Sequence, residues 1–336
     1  MGLRGRDLAL ALLICLCWAF NFLTSAHALQ EIPPFLFSAL RMAIVLALLA
    51  AFMRVPPRSQ WWRLAGIAMF TGVLHFGTSF LALKLAGNLS SPAIVTQTYV
   101  PMAVLLAWWW LGERFAWRTG LGIALSFAGV LVLGFDPMVL DRPLALFVML
   151  GSSAMVAIGT VLMRRMTGVG MIDQQGWTAA LSVLPLLLIS LVAEPGGLAA
   201  LREASWIGWG GALYAAVFAS LLGHGLFFRL VQRHPVAQVT PYLLMTPVFA
   251  VLLGIFFWGD RPGPALWIGG AMVLGGVLVI AIRTLQKKRP PVAEVTPEVL
   301  TSPRRARTRA ARSQDRARPG RHRTPGPRAC ARARHR

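Results

Sequence analysis

Ten apolar stretches, each bounded by charges, Pro or Gly, follow one another at 8–26, 33–53, 64–84, 91–111, 119–135, 143–163, 175–193, 206–228, 236–258 and 264–282. A bilayer core about 30 Å thick is crossed by roughly 20 helical residues at 1.5 Å of rise each. The pattern predicts an all-α integral membrane protein with ten transmembrane helices. Composition agrees: 56% of the residues are hydrophobic and 13% charged, which sets the chain apart from ordinary soluble domains.

Basic residues mark alternate connections. With the N-terminus in the cytoplasm, the inside segments hold Arg4 and Arg6; Arg54, Arg58 and Arg63; Arg114 and Arg118; Arg164 and Arg165; Arg229 and Arg233; then Arg283, Lys287, Lys288 and Arg289. The outside segments hold Lys84, Arg142, Arg202 and Arg261. This asymmetry predicts that both termini are cytoplasmic. The first run follows two arginines closely, as a secretory signal would, but it is long for one and carries Trp18 and Asn21. It reads as a retained first span.

Cys15 and Cys17 sit two apart on one helix, point to different faces and cannot pair, while Cys330 lies in the tail. Neither a disulfide framework nor a metal-ligand cluster follows, and no cofactor is expected. The net charge of +21 comes mainly from residues 290–336, rich in Arg, Pro, Ala and Ser. Residues 286–336 are expected to form a disordered cytoplasmic tail. Such a tail is either a dispensable appendage or a patch for anionic lipid or nucleic acid, with no specific nucleic acid expected.

A shift of 147 residues lays "AVLLAWWWLGER" (103–114) on "AVLLGIFFWGDR" (250–261), and "GIALSFAGVLVL" (122–133) on "GGAMVLGGVLVI" (269–280), without a gap. The fourth run thus matches the ninth and the fifth the tenth. Two units of five spans result, 5–138 and 139–285, and an odd number of spans inserts the second unit upside down. Glu113 with Arg114 and Asp260 with Arg261 then mark one helix corner on each side of the membrane, read as a structural corner or as a gating ion pair. Gly122, Ser126, Gly129, Gly269 and Gly276 form small patches suited to close helix packing.

"CWAFNF" (17–22), "IPPFLFSALRM" (32–42), "LGERFAWRTGLGIALSFAGVLVL" (111–133) and the repeat at 247–280 resemble the EamA domain of the drug/metabolite transporter superfamily. Residues 219–254 further resemble the bacterial O-acetylserine/cysteine exporter branch. The likeness covers about residues 5–285. It implies a multi-pass secondary transporter of the bacterial inner membrane that exports small metabolites, amino acids or their derivatives among them, by alternating access. Departures from the pattern are Asp260 where Glu is usual, the Trp108–Trp110 run and the basic tail.

In inverted-repeat transporters the solute site lies near the midplane, where spans are broken. Pro92 and Pro101 in span 4 and Pro241 and Pro247 in span 9 are candidate breaks, or static kinks absorbed by neighbours. Polar side chains at membrane depth tend to face a cavity or one another, which singles out Asn21, Arg41, His75, Gln97, Tyr99, His224, Gln238 and Tyr242 as candidate solute contacts. Trp18, Phe22, Phe76 and Phe80 are candidate apolar walls. Arg41 suits a solute carboxylate, or pairs with helix carbonyls or reaches the outer interface. No Asp or Glu lies near the middle of a span, so His75 and His224 are the candidates for proton coupling, each also readable as a packed neutral ring.

The rival classes are a membrane scaffold with a lipid- or nucleic-acid-binding tail, an importer of small solutes or drugs, and an intramembrane enzyme, and no enzyme is expected. The enzyme would need a Ser-His-Asp, HExxH or paired-carboxylate set that the sequence lacks. The expected partners are a small-molecule solute, the lipid bilayer and protons as coupling ion; the oligomeric state is left open.

Overall fold

The structure, a computed structural model, describes Leu3 and residues 5–287 apart from Pro235; of the expected tail, residues 286 and 287 continue the last helix and the remainder lies outside the described residues. Among these residues every regular element is helical. The apolar helices are α1 (Arg6–Glu31), α2 (Pro34–Phe52), α3 (Arg58–Ala86), α4 (Ser90–Leu111), α5 (Trp117–Leu133), α6 (Pro143–Arg164), α7 (Met171–Ala193), α8 (Trp206–Phe227), α9 (Pro241–Trp258) and α10 (Pro264–Thr284). Nine of the ten, among the described residues, are long and apolar enough to cross a membrane. The exception is α5, whose 17 residues lie between extended Ala116 and the turn at Gly134.

The offset of 147 is legible in the backbone well beyond the matched strings. Gly112 and Gly259 both end their helices with positive φ, +67° and +82°. The N–H of Glu113 donates to the Ala107 carbonyl at 3.2 Å, and that of Asp260 to the Gly254 carbonyl at 2.9 Å. This six-to-one bond satisfies a carbonyl that the helix end would orphan, and glycine takes the left-handed conformation without steric cost. The same offset joins π-helical stretches at Ala68–His75 in α3 and Ala215–Gly223 in α8.

It also joins the two broken helices. α4 is interrupted between Ser90–Thr96 and Tyr99–Leu111, and the ninth helical run between Val236–Leu243 and Met245–Leu253. Proline explains both places. Pro101 has no N–H for the carbonyl of Gln97, and Pro247 none for that of Leu243, and each ring crowds the carbonyl four residues back.

α5 and α10 cross tightly and antiparallel. A Cβ built on Gly122 would lie 2.8 Å from the Gly276 carbonyl oxygen, and one on Gly129 would lie 2.6 Å from that of Gly269. Between these contacts the Ser126 hydroxyl donates to the Val273 carbonyl at 3.2 Å. Gly122 and Gly269, Gly129 and Gly276, and Ser126 and Val273 are each 147 residues apart, so the crossing has a pseudo-twofold axis at Ser126 and Val273. Lipid gives no hydrophobic drive between helices, so backbone proximity of this kind holds them together.

At one end of the bundle, four carboxylates each cap a helix start distant in sequence. Glu31 accepts from the Ser205 N–H at 2.7 Å and its hydroxyl at 2.8 Å, ahead of α8. Glu194 accepts from the N–H groups of Phe35 and Leu36 in α2, at 2.8 and 3.0 Å. Buried Asp260 takes the N–H groups of Leu89 and Ser90 at the start of α4, at 3.0 and 2.9 Å. Asp136, also buried, takes the Leu266 N–H of α10 at 2.9 Å. First-turn N–H groups have no intrahelical acceptor, and the helix dipole adds to the attraction for an anion. Each cap ties one five-helix segment to the other.

Candidate functional site

The π-helical stretch of α8 carries Ser220 toward α2, where it meets Arg41. Arg41 is 3% exposed. Its Nε and Nη2 donate to the Ser220 hydroxyl oxygen at 3.0 and 2.9 Å, and that hydroxyl donates in turn to the Ala215 carbonyl at 2.9 Å. The guanidinium carbon stands 4.1 Å from the centre of the Phe76 ring and 5.6 Å from that of Phe80. A cation over an aromatic face is attracted by the ring quadrupole, more so when water is excluded.

Two histidines flank this group. His75, on α3, sets its Nδ1 2.9 Å from the Ser152 hydroxyl and 3.1 Å from the Ser152 carbonyl on α6; the Ser152 hydroxyl donates to the His75 carbonyl at 2.9 Å. His224 sets its Nδ1 3.0 Å from the Ala219 carbonyl and 3.2 Å from that of Ser220. A carbonyl only accepts, so Nδ1 carries the proton in each ring. The Trp18 indole N–H also donates to the Ala219 carbonyl, at 3.1 Å, and its ring lies 5.3 Å from that of His224. The Gln175 amide donates to the Ser220 carbonyl at 3.0 Å.

Residues 219 and 220 therefore bridge Arg41, Trp18 and His224, and Phe76 and Phe80 join through Arg41, with His75 beside Phe76 at 4.9 Å between ring centres. Ser220, Ser152 and Gln175 complete the cluster. They lack the charge or bulk that makes a side chain conspicuous at membrane depth, and the one signal for Ser220 was its place in the "ASLLGHG" stretch. Hydroxyls in membrane helices usually bond back to their own helix, as Ser220 also does.

The other candidates stand apart from this cluster. Gln97 sits half-buried at the α4 break, with no side-chain hydrogen bond among the described residues. Tyr99 is half-buried on the next turn. The Asn21 side-chain Oδ1 accepts from the Ser25 hydroxyl one turn on, at 3.4 Å, and Phe22 packs against the core around Ala19, Ala93 and Ala250. The Tyr242 hydroxyl accepts from the Leu3 N–H at 3.0 Å, holding the start of the chain. The side chain of Gln238 lies outside the described residues. Pro92, Pro101 and Pro247 are buried, and Pro241 partly so.

The corner acids differ in use. Asp260 caps α4, whereas exposed Glu113 forms an ion pair with Arg164 at 3.4 Å.

A family model described as the EamA-like transporter family matches residues 6–135 and again 143–282. The chain belongs to the EamA-like transporter family. It is a multi-pass membrane protein. Among its relatives, a "probable amino-acid metabolite efflux pump" of Escherichia coli (strain K12) is 25% identical over 82% of this chain and 94% of the relative. A "probable terminal-alkyne amino-acid exporter" of Streptantibioticus cattleyicolor is 26% identical over 60% of this chain and 69% of the relative. The "uncharacterized inner membrane transporter YedA" of Escherichia coli (strain K12) is 26% identical over 83% of this chain and 92% of the relative. A solved crystal structure shares the fold, with a TM-score of 0.56 and 20% identity over 85% of this chain and all of that one.

Proposed function

We propose that this EamA-family chain is a secondary active exporter of small metabolites, amino acids or their derivatives, in a bacterial inner membrane. Two halves, 5–138 and 139–285, insert with opposite polarity and with both termini in the cytoplasm, giving ten spans. The observation that carries this reading is the matched break in α4 and α9, at Gln97 and at Leu244, 147 residues apart, with Pro101 and Pro247 a few residues beyond. Irregular backbone at membrane depth is tolerated where protein or a wet cavity covers it, and paired breaks at a repeat interface are where such transporters hold solutes.

The solute passage runs between α1–α4 and α6–α9, with α5 and α10 as the packing support. Arg41, Asn21, Gln97, Tyr99, His75, His224, Gln238 and Tyr242 are its candidate polar contacts, and Trp18, Phe22, Phe76 and Phe80 its walls. The names of the relatives support export over uptake, and amino-acid metabolites over unrelated drugs. Proton coupling through His75 or His224 belongs to the proposal, since histidine is the side chain whose ordinary pKa lies nearest neutral pH.

The test compares extracellular metabolites of cells with and without the protein, followed by flux in proteoliposomes under an imposed pH gradient. Export that appears with the protein supports the reading, and an unchanged extracellular pool overturns it. Flux that ignores the pH gradient removes the proton. A chain lacking residues 290–336 keeps its flux if it is a transporter, whereas a scaffold acting through its tail loses its partner.

A further inference from the structure

The charge balance around Arg41 narrows the solute. A buried cation is stable when it is paired or neutralised, yet among the described residues no carboxylate pairs with this one. The ion pairs there fall on Asp7 and Glu113. Glu31, Asp136, Glu194 and Asp260 are committed to helix starts. One neutral hydroxyl, Ser220, takes both the Nε and Nη2 donors of a group built to grip two oxygens.

The surroundings add no negative charge. His75 and His224 turn N–H groups toward carbonyls, and the face of Phe76 is covered by the guanidinium itself. A solute with one carboxylate would displace the Ser220 hydroxyl from the Nε–Nη2 edge, while that hydroxyl keeps its own bond to the Ala215 carbonyl. One negative charge would then neutralise the site. A zwitterion brings the same carboxylate with an ammonium that meets no acid, so it leaves the site as positive as before.

We infer that the Arg41–Ser220 pair is the solute-binding edge, and that it takes carboxylates of net charge −1 without a free ammonium: 2-oxo acids, 2-hydroxy acids or N-acylated amino acids. An apolar substituent would lie along Phe76 and Phe80. This rests on the export reading above and deepens it.

The experiment sorts by net charge the solutes whose extracellular amount rises when the wild-type chain is expressed. Arg41→Ala, Arg41→Lys and Ser220→Ala follow at matched membrane abundance. Monoanions should dominate the wild-type set, and Arg41→Ala should lower their export at least tenfold, with partial recovery in Arg41→Lys. Ser220→Ala removes the competing acceptor, so the concentration of the exported monoanion giving half-maximal flux in proteoliposomes should fall severalfold.

A wild-type set dominated by zwitterions or cations overturns the inference and leaves the export reading standing. Monoanion export that Arg41→Ala leaves unchanged overturns it as well. If Arg41→Ala fails to reach the membrane, the wild-type charge classes and the Ser220→Ala shift decide. A wild-type chain that raises no solute overturns both readings together.

Discussion

Asp260 and Ser90 are joined twice: one carboxylate oxygen of Asp260 accepts from the Ser90 N–H at 2.9 Å and from the Ser90 hydroxyl at 2.5 Å. The bond spans 170 residues and caps the broken helix that carries Gln97. Its counterpart in the repeat, Glu113, is exposed and pairs with Arg164 instead. The repeat thus preserves the corner backbone while the two acids hold different partners. Ser90 corresponds to Ala237 in the other half, so the hydroxyl that Asp260 uses has no equivalent there.

Replacing Asp260 by Ala should therefore lower stability by about 1.5–3 kcal/mol, the range for hydrogen bonds to a charged group. Replacing Glu113 by Ala removes an exposed ion pair and should change stability by less than about 1 kcal/mol. Thermal unfolding of both variants in the same detergent checks the contrast. Equal losses would mean that the two corners carry the same load.

The α5–α10 crossing makes a sharper prediction. Gly129→Val places atoms against the Gly269 backbone and should lose about 1–3 kcal/mol or more through overpacking, seen as aggregation on size-exclusion chromatography. Gly120→Ala sits on the same helix with its nearest neighbour, Phe115, at 3.7 Å, and should behave as wild type.

Gln97 and Asn21 flank the proposed passage without deep hydrogen-bond obligations. Gln97→Ala and Asn21→Ala should reduce export severalfold at unchanged membrane abundance, measured by quantitative blotting beside the flux assay. Abundance that falls in step with flux would mark them as packing residues.

Tyr242 answers differently. Its hydroxyl is already occupied by the Leu3 N–H, so Tyr242→Phe should lose about 1 kcal/mol of stability and leave the half-saturating solute concentration unchanged. A changed concentration would return Tyr242 to the solute site.

Much of this architecture is written in local chemistry. Glycine before an acid fixes the corners at Gly112 and Gly259, and the small residues at 122, 126, 129, 269 and 276 mark the α5–α10 contact because lipid-embedded helices meet through small residues. The breaks were legible because proline acts on a carbonyl four residues back, although that logic points to Gln97 and Leu243 rather than to the prolines themselves. Arg41 stood out as a charge at depth. Its partner did not, since Ser220 meets Arg41 from within the π-helical stretch of α8, a backbone feature with no residue signature. The capping carboxylates escaped for a related reason: only tertiary contact assigns Glu31, Glu194 and Asp136 each to a distant helix start.

The central claim is that two halves of one fold lie in the membrane with opposite polarity around a solute passage. In a chain with Cys15, Cys17 and Cys330 replaced by Ser, single cysteines at exposed Glu113 and exposed Arg261 report the two corners to a membrane-impermeant thiol reagent. The account predicts that intact cells label the Arg261 position, and that the Glu113 position reacts only once the reagent reaches the cytoplasm. Labelling of both positions from the same side would contradict it.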